Sequence, residues 1–198
     1  MTNKFLLRNK ENSLLNQYWY STKTIDTIIL EVEDHISKRS SKNLPWRIAF
    51  VSTPSIYFSI AEAQRSQCNV FDIDEKWKKD SGFVSYNFNE PTNISDDMKN
   101  KFTMVIIDPP FITKEVWQKY TETAHFLLCN PDNEADDSSK SNCIIASTIA
   151  ENQQMMEELL NVHPVKFKPS IPNLVYQYNL YCNYQSEVLS QINPEVDF

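Results

Sequence analysis

With 198 residues, 41% of them hydrophobic and 12% aromatic, the chain has the composition of one globular domain, which excludes a disordered or fibrous protein. Its longest apolar runs, such as 104–107 and 143–146, fall far short of the ~20 residues of a membrane span. A formal charge of −7 with no basic cluster weighs against nucleic acid, whose phosphates draw on Lys and Arg to displace counterions.

Residues 1–10 show no apolar segment ahead of a small-residue cleavage site, so a soluble, cytoplasmic protein is expected. Cys68, Cys129, Cys143 and Cys182 are far apart, and His35, His125 and His163 add no zinc spacing, so no metal is expected. These cysteines read as free thiols in a reducing compartment, with His125 structural and His163 a turn residue.

In chain order, residues 11–20 carry Leu14, Leu15, Tyr18 and Trp19 at helical spacing. A second helix follows from Thr24, with Ile25, Ile28, Ile29, Val32 and Ile36 on one face. Residues 47–51 predict a buried strand, and Ser52-Thr53-Pro54 a helix start, Thr53 as N-cap, with the helix running to about residue 65. Strands are predicted at 69–73, ending in Asp72 and Asp74, and at 83–88 after the only glycine, Gly82. The β-branched run 102–107 is closed by Asp108-Pro109-Pro110, and helical spacing resumes through Val116, Tyr120, Ala124, Leu127 and Leu128. Residues 130–142 read as an acidic, solvated, flexible loop. A strand at 143–147, a helix at 149–160 and a strand at 165–168 follow. The alternation of Tyr176, Tyr178, Leu180, Cys182 and Tyr184 closes the pattern as an antiparallel strand. The fold class is α/β: a doubly wound, mostly parallel sheet with an antiparallel C-terminal edge. No repeat or linker divides it, so residues 1–198 form a single domain with a helical flank over 1–40.

In such a sheet the ligand sits beyond the carboxyl ends of the strands, near the switch point of strand order. Ser52-Thr53-Pro54-Ser55 stands where a glycine-rich turn would hold a pyrophosphate, so a nucleoside without phosphate fits better. An acid closing the second strand suits a ribose diol. Asp108-Pro109-Pro110-Phe111 is the sharpest signal. Two prolines after a buried strand remove two donors and leave carbonyls as acceptors. An amino group attacking a sulfonium methyl needs acceptors for its N–H protons, which the Asp108 side chain and the Pro109 carbonyl can supply. Phe111 can stack on a base or pack beside an alkyl-ammonium. The Tyr18-Trp19-Tyr20 cluster is either core or a lid over the cofactor.

Residues 16–21 (NQYWYS), 50–60 (FVSTPSIYFSI), 70–74 (VFDID), 87–91 (NFNEP), 105–123 (VIIDPPFITKEVWQKYTET) and parts of 166–184 stand in order. Together they resemble the elongation factor 1-alpha lysine methyltransferases, once labelled N6-adenine-specific DNA methyltransferase 2-like. The resemblance implies a seven-stranded class I methyltransferase fold, S-adenosyl-L-methionine as donor and a lysine of elongation factor 1-alpha as acceptor. By the same resemblance Ser52, Thr53 and Pro54 match the glycine-free first motif, Asp74 the ribose-binding acid, and Asp108, Pro109, Pro110 and Phe111 the catalytic motif. Asn87 stands where the family tends to carry an acid near the adenine, and the 130–142 insert is long for the pattern. A monomer is expected. The rivals are N6-adenine methylation of DNA or RNA, which uses the same tetrapeptide, and a binding subunit without catalysis.

Overall fold

The computed structural model describes residues 3–129 and 142–196. Among these residues seven strands form one sheet: β1 Ile48–Val51, β2 Cys68–Asp72, β3 Phe83–Ser85, β4 Met104–Ile107, β5 Cys143–Ile149, β6 His163–Pro164 and β7 Tyr178–Cys182. Their order is β3-β2-β1-β4-β5-β7-β6. The first five are parallel, and β7 runs antiparallel to both β5 and β6. Every residue of β1, β2 and β4 is buried, as continuous apolar strands must be when helices cover both faces.

Strand period sorts the side chains. Ala49, Val51, Val105 and Ile107 face α5 (Lys114–Leu127) and α6 (Gln153–Leu160), packing on Trp117, Tyr120, Ala124 and Met156. Ile48, Phe50, Met104 and Ile106 face α2 (Thr22–Ser40) and α3 (Pro54–Tyr57), against Ile25, Ile28, Val32 and Ile56. The Ser21 hydroxyl caps α2 by accepting from Thr24 N at 3.1 Å. A Cβ on Gly82 would run into the Tyr57 ring and stand 2.8 Å from the Cys68 carbonyl. That close approach is what requires glycine there.

Several elements differ from the sequence expectation. Residues 11–20 are not an α-helix. A 3₁₀ turn at Ser13–Leu15 ends at Asn16 in the left-handed region (φ 50), and Glu11 folds the segment back by accepting from Trp19 N at 2.8 Å. A short helix α1, Lys4–Arg8, precedes it, capped by the Asn3 side chain. The helix expected to run to about residue 65 is split into α3 and α4 (Glu62–Arg65), with Ala61 extended between them. There the Ser59 hydroxyl donates to the Ser55 carbonyl at 2.7 Å, the local competition that bends helices.

β3 stops at Ser85 rather than Phe88, because Asn87 turns the chain by accepting from Asn89 N at 3.0 Å. The strand expected at 165–168 lies two residues earlier, and His163 is a strand residue, not a turn residue. Pro164 has no N–H, which suits the sheet edge it occupies. Tyr176 and Tyr184 lie outside β7. The acidic loop expected over 130–142 falls outside the described residues apart from Asn142.

Candidate active site

The strand order reverses at β1, so the carboxyl ends of β1 and β4 lie side by side with helices leaving on opposite faces. Val51 is in register with Ile107, Asp108 N donates to the Val51 carbonyl at 3.2 Å, and Ser52 N donates to the Phe71 carbonyl at 2.8 Å. Ser52 and Asp108 are therefore adjacent at the switch point, where ligands of open α/β sheets bind. A pocket opens there. Its floor is Ser52, Pro54, Asp72, Asp108, Pro109 and Pro110; Tyr86, Tyr120 and Tyr178 wall it; and Leu15–Trp19, Ile171 and Leu174 cover it.

Ser52 has φ 58, a left-handed backbone that favours glycine. Its hydroxyl lies 2.7 Å from the Tyr120 hydroxyl, which compensates the strained turn with a bond glycine cannot make. Thr53 is the N-cap of α3 as expected, but its side chain caps nothing. The Thr53 Oγ1 atom is buried without a partner among the described residues.

Asp108 is half-buried. Desolvation pushes its carboxyl up to about 7, against a hydrogen bond from the Tyr20 hydroxyl that lowers it. Tyr20 is buried, its hydroxyl lying against Asp108 and Ser147, and burial raises it well above its ordinary value. Among the described residues no donor reaches the Pro109 carbonyl, whereas the next carbonyl, of Pro110, accepts from the Asn16 side chain. Phe111 is half exposed at the outer rim, edge-on to Phe88 with centroids 6.3 Å apart.

Residues 9–20 form a strap over the pocket. Trp19 packs on Phe5 and donates to the Asn9 carbonyl, and Gln17 Nε2 donates to Asp74 Oδ2 at 3.4 Å. The Glu11 carboxylate also accepts from Asn173 at 2.8 Å, tying the strap to the 170–177 loop.

Of the residues singled out in the sequence, Ser52, Pro54, Trp19, Asp108, Pro109 and Pro110 come together in the pocket, and Tyr20 joins them through Asp108. Thr53 and Ser55 are buried beside it without lining it. Asp74 sits at the rim, ion-paired with Lys76 at 2.8 Å and capping a 3₁₀ turn. It is Asp72 that lines the pocket. Burial pushes the Asp72 carboxyl up to about 6. Asn87 is exposed and lies outside the lining, its carboxamide spent on Asn89 N. Tyr86 stands in its place. Sequence reasoning also missed Asn16, Gln17, Tyr120 and Tyr178. Tyr120 carried a usable signal, falling on the inward face of α5 one turn after Val116.

A family model described as "Probable N6-adenine methyltransferase" matches residues 11–186. The chain is 29% identical to the EEF1A lysine methyltransferase 1 of Mus musculus, over 89% of this chain and 77% of that protein. It is 28% identical to the Homo sapiens protein of the same name, with the same shares covered. To the protein-lysine N-methyltransferase EFM5 of Saccharomyces cerevisiae it is 33% identical, over 63% of this chain and 51% of that protein.

Proposed function

The chain belongs to that methyltransferase family, and on this premise we propose that it is an S-adenosyl-L-methionine-dependent protein-lysine N-methyltransferase acting on elongation factor 1-alpha. The carrying observation is that Asp108 and Pro109 line the pocket at the switch point and that no described donor occupies the Pro109 carbonyl, which supports reading the two as an amine cradle. Relatives over 89% of the chain are named EEF1A lysine methyltransferases, which supports lysine over adenine as acceptor. Residues 1–198 would then form one catalytic domain, with 1–40 as its flank and lid. The working location is the cytoplasm, and the working state a monomer.

The residues present fit the donor. The pocket offers a carboxylate at the end of β2 and aromatic walls, and at the β1 turn the Thr53 hydroxyl, buried just outside the lining, has no partner among the described residues. Asp72 would take the ribose diol, the Ser52–Ser55 turn the amino-acid end, and Tyr86 and Trp19 the flat surfaces. Bound there, the donor supplies an electrophilic methyl on a sulfonium sulfur.

The cradle does the rest. A lysine amine has pKa ~10.4 in water and attacks only through its neutral lone pair. The walls of Tyr86, Tyr120 and Tyr178 desolvate it and favour that form. The neutral amine keeps two N–H groups, and Asp108 and the Pro109 carbonyl accept them, leaving the lone pair aimed along the line of transfer. As the nitrogen gains positive charge the Asp108 carboxylate stabilises it. The Tyr20 hydroxyl holds that carboxylate in orientation.

The test is incubation of the protein and labelled donor with a lysate whose proteins are undermethylated. Label should follow a band of elongation factor 1-alpha's mass and be removed by protease, not nuclease. Label in the nucleic-acid fraction, recovered as N6-methyladenine, overturns the lysine reading.

A further inference from the structure

Five large apolar side chains stand in solvent on the chain segments that line the pocket: Leu14 and Val175 at 93% exposure, Tyr176 at 67%, Ile73 at 53% and Phe111 at 49%. They come from four separate chain segments. Each is a pocket-lining residue or stands within two positions of one: Leu14 before Leu15, Phe111 after Pro110, Val175 and Tyr176 after Leu174, while Ile73 lines the pocket itself. Two bonds hold these segments in one rim. The Asn16 side chain donates to the Pro110 carbonyl, and Asn173 donates to Glu11. Scattered single hydrophobics are ordinary on a surface, but a cluster ringing a cavity marks an interaction site.

The charges on these segments say what the rim binds. Residues 9–20 and 169–178 contain only Lys10 and Glu11 as charged side chains, and the Glu11 carboxylate is engaged by Trp19 N and Asn173. Lys76, three residues beyond Ile73, is paired with Asp74. Lys10 and the Lys114 that opens α5 are too few to track a phosphate backbone, whose contacts number six or more in typical complexes. Whatever carries the reacting amine to Asp108 must lie across this rim, because the strap and the 170–177 loop cover the pocket.

From this we infer that Leu14, Val175 and Tyr176, with Ile73 and Phe111, form the docking surface for the methyl acceptor, and that it takes a protein segment presenting its lysine between apolar side chains. The inference rests on the lysine-methyltransferase reading and extends it to how the acceptor is chosen. Apolar anchors around a reacting group provide affinity for the protein acceptor without touching the donor.

The test is the full chain carrying Leu14→Ser, Val175→Ser and Tyr176→Ser together, assayed on purified elongation factor 1-alpha. Thermal midpoint and donor affinity by calorimetry should match wild type. The KM for the protein should rise about tenfold or more with kcat within about threefold, the signature of lost uniform binding. An unchanged KM overturns the docking surface. Should the triple variant lose stability, Val175→Ser and Leu14→Ser singly, at positions with almost nothing to unpack, are read by the same KM criterion. Wild-type protein that labels no protein at all overturns the lysine reading and this surface together, whereas wild-type labelling with an indifferent variant removes only the surface.

Discussion

The hydroxyls of Ser52 and Tyr120 meet at 2.7 Å, joining the β1 turn to the middle of α5 directly beneath the pocket. Ser52 sits at φ 58, a conformation costing about 1–2 kcal/mol for a residue with a Cβ, and Tyr120 is almost wholly buried. The two features predict different results for two small substitutions. Ser52→Gly relieves the backbone while losing one hydrogen bond, so its stability should stay within about 1 kcal/mol of wild type. Ser52→Ala leaves the Tyr120 hydroxyl unsatisfied just as glycine does but keeps the strain, and should lose about 1–3 kcal/mol. Urea unfolding of the pair decides it. Equal stability of the two variants would mean that the positive φ carries no penalty, and wild-type stability of Ser52→Ala that the hydroxyl pair adds nothing.

Asp108 is placed to act as an anion, yet burial pushes its carboxyl up to about 7. Turnover should therefore rise with pH through the neutral range as the carboxylate forms. Tyr20 donates to that carboxylate and favours it, so Tyr20→Phe should move the rising limb to higher pH. Asp108→Asn should abolish the limb and lose at least ~10²-fold in kcat, the scale of removing a transition-state electrostatic partner. Profiles of wild type and Tyr20→Phe that superimpose would remove Tyr20 from the positioning of Asp108.

The same burial makes a stability prediction of fixed sign. Asp108 and Asp72 have folded values of about 7 and about 6, both raised chiefly by desolvation. Their unfolded values lie near the ordinary carboxylate value of ~3.9. The contribution of each is fully present below that value and is lost as pH rises through its folded value. The double variant Asp72→Asn, Asp108→Asn should therefore exceed wild type in stability at pH 8, with the gap closing towards pH 4. Denaturant midpoints at the two pH values measure it. A gap that widened on acidification would contradict the raised values.

How far the sequence could be read follows from the range of the forces involved. The central strands were legible because continuous apolar, β-branched runs such as 104–107 have few other homes, and α2 because its apolar face repeats five times. Asp108-Pro109-Pro110 was legible because prolines fix local geometry. The strap was not. Residues 11–20 carry helical spacing, but their conformation is decided by Glu11 reaching Trp19 N and by Asn16 reaching Pro110, contacts that no local pattern encodes. Asp72 and Asp74 were inseparable for a related reason. They sit two apart at a strand end, where the exact last strand residue determines which one faces the pocket.

That distinction is measurable. Asp72 lines the pocket, while Asp74 is committed to Lys76 and to the 3₁₀ turn it caps. Asp72→Asn should weaken donor binding by about 1.5–3 kcal/mol, the range for hydrogen bonds to a charged group. Asp74→Asn should cost under about 1 kcal/mol, as for a pair at the surface. Calorimetric affinities in the reverse order would return the ribose to Asp74.

The strap provides the last prediction, through Asn16. Its side chain donates to the Pro110 carbonyl, and its backbone is left-handed at φ 50. Asparagine is one of the few residues with a Cβ that tolerates this region. Asn16→Gly keeps the backbone free to adopt it and removes only the side-chain bond. Asn16→Ala removes the bond and adds the left-handed penalty, so it should loosen the strap more. Because the strap covers the pocket without forming its floor, both variants should fold with near-wild-type thermal midpoints. Donor dissociation should quicken, by about 3–10-fold for glycine and further for alanine, in line with about 1 kcal/mol for each lost element. Stopped-flow tryptophan fluorescence can follow it, since Trp19 lies in the strap and lines the pocket. Dissociation rates identical in wild type and both variants would show that the bond to Pro110 does not hold the strap over the donor.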